Sequence, residues 1–239
     1  MKAVAPILAI ALVSTLTPFA SASVFVDLTD GTCDSGWRAV LPDGVNVGIV
    51  VDKVTDSYVR IEITKNFTQP PVDGYFLPIS ILFEQMACAG ATVPTIQITD
   101  ETITNNTGAD WTDYHWQING CLAAFDIRAT EGSGFSVDPF TEMTWTPKCG
   151  WGSDYASALD LAGGLVAPGE TFAPGVDSGK LYVDVQLDDC KADFCLIQYP
   201  TPEPGTIFLL AAGGLFALLR HRRERSAFRR WARPAHESR

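Results

Sequence analysis

Wherever a run along the chain is long enough to judge, apolar and polar side chains alternate with a period of two. Val59, Ile61 and Ile63 alternate with Arg60, Glu62 and Thr64, and Ile96 and Ile98 with Thr95, Gln97 and Thr99. The cleanest case is Leu181, Val183, Val185 and Leu187, interleaved with Lys180, Tyr182, Asp184, Gln186 and Asp188. Successive side chains of a strand point to opposite faces, so each run predicts a strand with one face in a core and one in water. No window of similar length carries the 3.6-residue period of an amphipathic helix. Further strand candidates are residues 37–41, 47–54, 75–83, 112–118, 122–129 and 194–198, parted by turn-forming stretches such as Pro42-Asp43-Gly44 and Glu131-Gly132-Ser133-Gly134. Asn119-Gly120, between two such candidates, predicts a tight hairpin, because a type I′ turn needs positive φ at both central residues. About nine or ten short strands in one unit predict an all-β domain over residues 23–199, a single disulfide-bonded β-sandwich of Ig-like or jelly-roll-like kind.

The two ends break this pattern. After Met1-Lys2, residues 3–19 are apolar but for Ser14, Thr15 and Thr17, and Ala20-Ser21-Ala22 follows. A positive start, a short apolar run and small residues at its end are the features of a secretory signal peptide, here residues 1–22, with cleavage after Ala22 and a mature chain starting at Ser23. At the other end, residues 207–219 are 13 residues without a charge. As a helix they would measure about 20 Å, short of the ~30 Å hydrocarbon core of a bilayer. Arg220, Arg222, Arg223 and Arg225 follow at once. By the positive-inside rule they belong on the cytoplasmic side, with the domain outside.

Charge separates the same regions. Residues 23–200 hold 8 Lys and Arg against 25 Asp and Glu, a net of −17, whereas the residues after 200 hold 8 Arg and 3 Glu, a net of +5. An acidic exported domain would be repelled by nucleic acid and by anionic headgroups, so neither is an expected partner. The arginines serve the tail alone, and residues 227–239 read as a basic cytoplasmic extension.

Pro202-Glu203-Pro204, a short apolar helix and then a terminal arginine cluster resemble the PEP-CTERM sorting signal of Gram-negative bacteria, here over residues 200–226. The resemblance implies a membrane-embedded, exosortase-like processing enzyme as partner, transient residence in the inner membrane through residues 207–219, and delivery to the cell surface or extracellular matrix after the tail is processed. The simpler alternative is a permanent inner-membrane anchor that leaves the β domain in the periplasm. Pro200, Pro202 and Pro204 each lack an N–H donor, which predicts an extended, exposed segment outside the preceding sheet. A second stretch, Thr104-Asn105-Asn106-Thr107-Gly108-Ala109-Asp110-Trp111-Thr112-Asp113-Tyr114-His115-Trp116, is similar to one seen in exported bacterial β-sandwich domains with such tails, and Leu165-Val166-Ala167-Pro168-Gly169-Glu170-Thr171-Phe172 resembles their second marker. Those domains are largely of unassigned activity.

All six cysteines, Cys33, Cys88, Cys121, Cys149, Cys190 and Cys195, lie in the exported part. An even count in an oxidising compartment predicts disulfides, and the spacing lacks the paired C-x-x-C of a zinc site. Many pairings are open, with Cys190–Cys195 favoured locally. Candidate chemistry is sparse. His115 is the single histidine of residues 23–199, too few for a multi-histidine metal centre, and no G-x-S-x-G nucleophile elbow exists to pair with it and an acid such as Asp113. No cofactor is expected and no catalytic residue is assigned. Asp27, Asp30 and Asp34 form an acidic, loop-like stretch that makes a weak calcium candidate, since the spacing misses the EF-hand pattern. Strand parity places Trp116 with Tyr114 on the core face and Trp111 on the opposite face, so Trp111, with Trp145 and Trp151 around Cys149, are the candidate glycan contacts. These features predict a non-enzymatic surface or matrix protein associated with exopolysaccharide and biofilm, with a carbohydrate-binding module as the alternative and a secreted hydrolase third.

Overall fold

The alternation of residues 59–63 is obeyed in three dimensions: in a computed structural model of the chain Val59, Ile61 and Ile63 are fully buried while Arg60 and Glu62 are half-buried on the other face. The structure describes residues 23–42, 46–175, 179–189 and 192–202. The expected signal peptide, the apolar stretch 207–219 with its arginines, and residues 227–239 lie outside the described residues. Among the described residues thirteen strands form: β1 (Val24–Thr29), β2 (Asp34–Leu41), β3 (Asn46–Val54), β4 (Tyr58–Phe67), β5 (Ile79–Gln85), β6 (Thr95–Asn105), β7 (Trp111–Asn119), β8 (Ala123–Asp126), β9 (Glu142–Pro147), β10 (Tyr155–Ala162), β11 (Thr171–Phe172), β12 (Leu181–Val185) and β13 (Asp193–Pro202).

They join into one hydrogen-bonded sheet in the order β1-β2-β5-β13-β7-β10-β8-β12-β6-β4-β3, with β11 beside β6 and β9 beside β10. Every pairing is antiparallel except β4 with β6, which run parallel with Val59 beside Ile96 and Ile61 beside Ile98. The expected sandwich is thus realised as one sheet curled into a half-barrel. Curling lets inner-face residues as far apart in the strand order as Phe83 of β5, Trp116 of β7 and Ile61 of β4 enter a single core. The two edges are tied where Val54, at the end of β3, donates its backbone N–H to Asp30 Oδ2 in the turn after β1 at 3.1 Å.

Several local expectations are corrected. Asn119-Gly120 does not close a hairpin: β7 pairs with β10 and β13, so both of its edges are occupied, and β8 pairs with β10 and β12. Gly120 has φ +137°, and a Cβ there would come within 3.0 Å of Phe194 Cβ, so close approach to β13 is what requires glycine. Residues 122–129 are not one strand. β8 stops at Asp126, whose carboxylate accepts from Ala129 N at 2.8 Å and caps a short helix, α1 (Ile127–Gly132).

The proline-bearing end was expected to stand outside the sheet, yet β13 runs to Pro202, with Pro200 beside Tyr114, Thr201 beside Asp113 and Pro202 beside Trp111. Pairing with β5 ends at Gln198, so beyond it β13 has β7 alone as neighbour. Prolines two residues apart put their missing donors on one side, which an edge tolerates.

A disulfide framework through all six cysteines is likewise not formed. Cys33, Cys121, Cys149 and Cys195 carry free thiols, and Cys88 is disulfide-bonded. The favoured Cys190–Cys195 pairing is not made: Cys195 carries a free thiol, and Cys190 lies outside the described residues. Cys195 lies inside β13, flanked by Leu82 of β5 and Asn119 of β7.

Candidate functional site

The residues that stand out chemically lie on the two faces of the β7–β13 pair, where the folded domain meets the tail. On β13, Phe194, Leu196, Gln198 and Pro200 point inward and Cys195, Ile197, Tyr199 and Thr201 outward. Gln198 is therefore a polar side chain at a core position, fully buried, and burial without partners would be costly. Both ends of its amide are engaged: Tyr114 OH donates to Gln198 Oε1 at 3.0 Å, and Gln198 Nε2 donates to Glu101 Oε1 at 3.1 Å. The other oxygen of Glu101 accepts from Trp116 Nε1 at 3.2 Å. Lys65 of β4 completes the group by contacting Glu101, with side-chain exposures of 0% and 2% for the pair. Burial pulls the Lys65 amine well below the usual lysine range and pushes the Tyr114 phenol well above its ordinary value.

The outward face of the same strands is half-exposed. His115 Nδ1 meets Asp160 Oδ1 of β10 at 2.7 Å, and the imidazole stacks on Tyr199 with ring centres 4.8 Å apart. Two residue pairs along, on the same face, Thr201 Oγ1 donates to Asp113 Oδ2 at 3.1 Å. The acid beside the histidine is thus Asp160. Asp113 belongs to the strand end. Register alone explains this, because Asp160 lies directly across from His115 on β10 and Tyr199 directly across on β13. A sequence 45 residues apart holds no signal for that pairing.

Parity failed for Trp111, which is fully buried and corrects its assignment as a glycan contact. Between Asp113 and Trp111 the register against β13 shifts, and this irregularity returns Trp111 to the core face. There its ring packs edge-on to Phe67 at 5.2 Å. Trp145 and Trp151 are half-buried. Trp145 donates to Glu131 Oε1 at 3.1 Å, and Trp151 donates to the Cys121 carbonyl at 3.1 Å while meeting Tyr155 edge-on.

The acidic stretch is occupied by structural work. Asp27 pairs with Arg38 at 2.7 Å, and Asp34 accepts from Gly36 N. Asp30 accepts from the backbone of Cys33, Thr32 and Val54, hydrogen bonds that hold its carboxyl below the usual range. Among the described residues no group of three or more His, Cys, Asp or Glu is placed to hold a metal ion.

The two marker stretches noted in the sequence touch. Asn105 donates to the Ala109 and Val166 carbonyls at 2.9 and 2.8 Å and accepts from Thr107, while Trp111 and Val166 form a two-way backbone bridge. Asn105 and Thr107 therefore work as a buried latch that sets the start of β7.

Of the sorting elements, Pro202 is the last described residue; Glu203, Pro204, Arg220, Arg222, Arg223 and Arg225 lie outside the described residues, as do Ala20 and Ala22, while Ser23 is exposed ahead of β1. No helix among the described residues is long and apolar enough to cross a membrane.

Comparison with known proteins places a family match on the same junction. Residues 200–223 match the PEP-CTERM protein-sorting motif. No curated protein and no solved structure matches the chain. The tail is thus a sorting signal of the exosortase-processed kind, and it marks an exported protein.

Proposed function

We propose that the chain is a non-enzymatic surface or extracellular-matrix protein whose β domain works as a scaffold, associated with exopolysaccharide, and is released or transferred to the cell surface when the tail is processed. The observation that carries this reading is continuity: the sorting motif begins at residue 200, and residues 200–202 are still part of β13. Processing beyond Pro202 would leave a domain whose last strand is fastened on both faces and whose core is intact. The acidic charge of residues 23–200 fits a hydrated matrix and disfavours adsorption to anionic surfaces.

The test is expression of the full chain in hosts with and without an exosortase, with the mass of the product measured. Loss of the segment beyond the Pro-Glu-Pro motif only in the first host supports sorting. A tail retained in both hosts replaces it with a permanent anchor. A carbohydrate-binding reading is carried by Trp145 and Trp151, whose rings are partly exposed. Binding on a glycan array that is lost in Trp151→Ala would move it to first place.

A further inference from the structure

We propose that Lys65 and Glu101 become joined by an amide bond within the folded chain, a self-made crosslink between the parallel strands β4 and β6. The two side chains are in direct contact in the core, and among the described residues Lys65 Nζ has no hydrogen-bond partner besides that contact with Glu101. An ammonium brings three donors and a full charge, and contact with one carboxylate still leaves donors unsatisfied in an apolar interior, which is costly. Moving one proton from the ammonium to the carboxylate gives a neutral amine and a neutral acid with no change in net charge. Burial favours that form, in keeping with the lowered proton affinity of Lys65.

A neutral amine against a carboxylic acid is the reactant pair for condensation. The lone pair on Nζ adds to Cδ of Glu101 and forms the N–C bond. One Cδ–O bond then breaks, and that oxygen leaves as water, carrying the proton of the acid and one from the amine. Nothing is oxidised or reduced.

The surroundings suit each stage. Trp116 Nε1 and Gln198 Nε2 each donate to a different oxygen of Glu101, where negative charge collects as the carbon becomes tetrahedral. Tyr114 OH holds the Gln198 amide in the orientation that keeps its N–H groups toward Glu101. The strands fix the reactants side by side, which replaces an encounter in solution by a positioned contact. The product needs less from the core than the reactants do, with one N–H in place of three donors and no charges. Gln198, Tyr114 and Trp116 are in this view positioning residues, and the linkage is independent of where the tail directs the chain.

The experiment is a digest of the purified full chain with trypsin after denaturation and thiol reduction, followed by mass measurement. Trypsin does not cut after an acylated lysine, and no Lys or Arg lies between Lys65 and Arg128. A linked chain therefore yields residues 61–128 as one fragment lighter by one water, with fragmentation placing the link between Lys65 and Glu101. Lys65→Met removes the amine and gives a fragment from 61 to 128 with no loss of water, so it separates a real link from incomplete cutting. Gln198→Ala keeps both reactants and is expected to lower the linked share. Recovery of 61–65 and 66–128 at their unmodified masses as the main products of the wild-type chain overturns the proposal, and this outcome does not depend on any variant folding.

Discussion

Tyr114 and His115 are neighbours on one strand, as are Gln198 and Tyr199 on the next, yet the two faces they serve follow different physics. Inside, Tyr114 and Gln198 join Glu101, Trp116 and Lys65 in a group sealed from water, in which every member depends on another. Outside, His115, Asp160 and Tyr199 make comparable contacts at similar distances with solvent available as a substitute. A lost partner outside is replaced by water at little cost. A lost partner inside leaves a buried polar group with nothing, and the full desolvation cost appears. The same strand pair thus carries a rigid inner seam and a replaceable outer one, both ending where the sorting motif begins.

The comparison is broken most severely from within. Lys65→Met removes the amine that meets Glu101 in the core and leaves that acid buried without its partner. A destabilisation of about 3–5 kcal/mol is expected from breaking the buried pair, measured as a shift in the denaturant midpoint. Trp111→Ala removes a fully buried ring and should cost a similar ~3–5 kcal/mol, whereas Trp151→Ala, at the half-exposed rim, should cost much less. Tyr114→Phe is gentler, because the ring stays and only the hydroxyl is lost. Gln198 Oε1 is then unsatisfied in the core, for roughly 1–3 kcal/mol.

The inner seam was only half legible in the sequence. The alternation in residues 59–63 identified a strand and its buried face correctly, since one buried face imposes the period directly, whereas the strand expected over 181–187 ends at Val185 and in 95–99 Gln97 and Thr99 are buried along with the isoleucines. Lys65, Glu101 and Gln198 sit at inward positions where that pattern expects apolar residues. Pattern alone reads such residues as strand ends or outward positions, and what makes them acceptable is mutual contact across strands distant in sequence. The continuous sheet was hidden for the same reason: β10, with its alanines and serine, has a weak apolar signal and yet pairs with three strands. Parity misplaced Trp111 because a register shift inside β7 changes face without any mark in residue type. The sorting motif was legible because its elements are local and ordered, whereas the docking of its first residues depends on an edge of β7 that no local rule contains.

Asp184, half-buried on the outward side of β12 and away from the β7–β13 pair, gives a pH-dependent probe. Burial and then the nearby Asp126 raise its carboxyl pKa, partly offset by hydrogen bonds from Thr95 at 2.7 Å and Tyr155 at 3.3 Å. A carboxyl raised on folding binds its proton more tightly in the folded chain. Its contribution to stability is therefore complete below the unfolded value, near pH ~3.9, and is lost as pH rises through the folded one. Asp184→Asn keeps an oxygen for Thr95 and removes the charge. Its stability, followed by denaturant midpoint at a series of pH values, should fall less than that of the parent as pH climbs through this window. An identical profile in both chains would mean that Asp184 is solvated like an outer-face acid.

The smallest effect is expected on the outer face, and it tests the comparison most sharply. His115→Ala removes both the Asp160 contact and the stack on Tyr199 while leaving Tyr114 and Trp116 untouched on the other side of the strand. Asp160 retains water, Tyr199 keeps its backbone pairing, and the loss should stay near or below ~1 kcal/mol. If the midpoint falls by as much as for Tyr114→Phe, the outer residues are helping to hold the end of β13, and the domain grips the first residues of its sorting motif from both sides. Should it hardly move, the buried seam alone keeps β13 in place, and the outer residues are free to vary without affecting delivery of Pro202 and the tail beyond it.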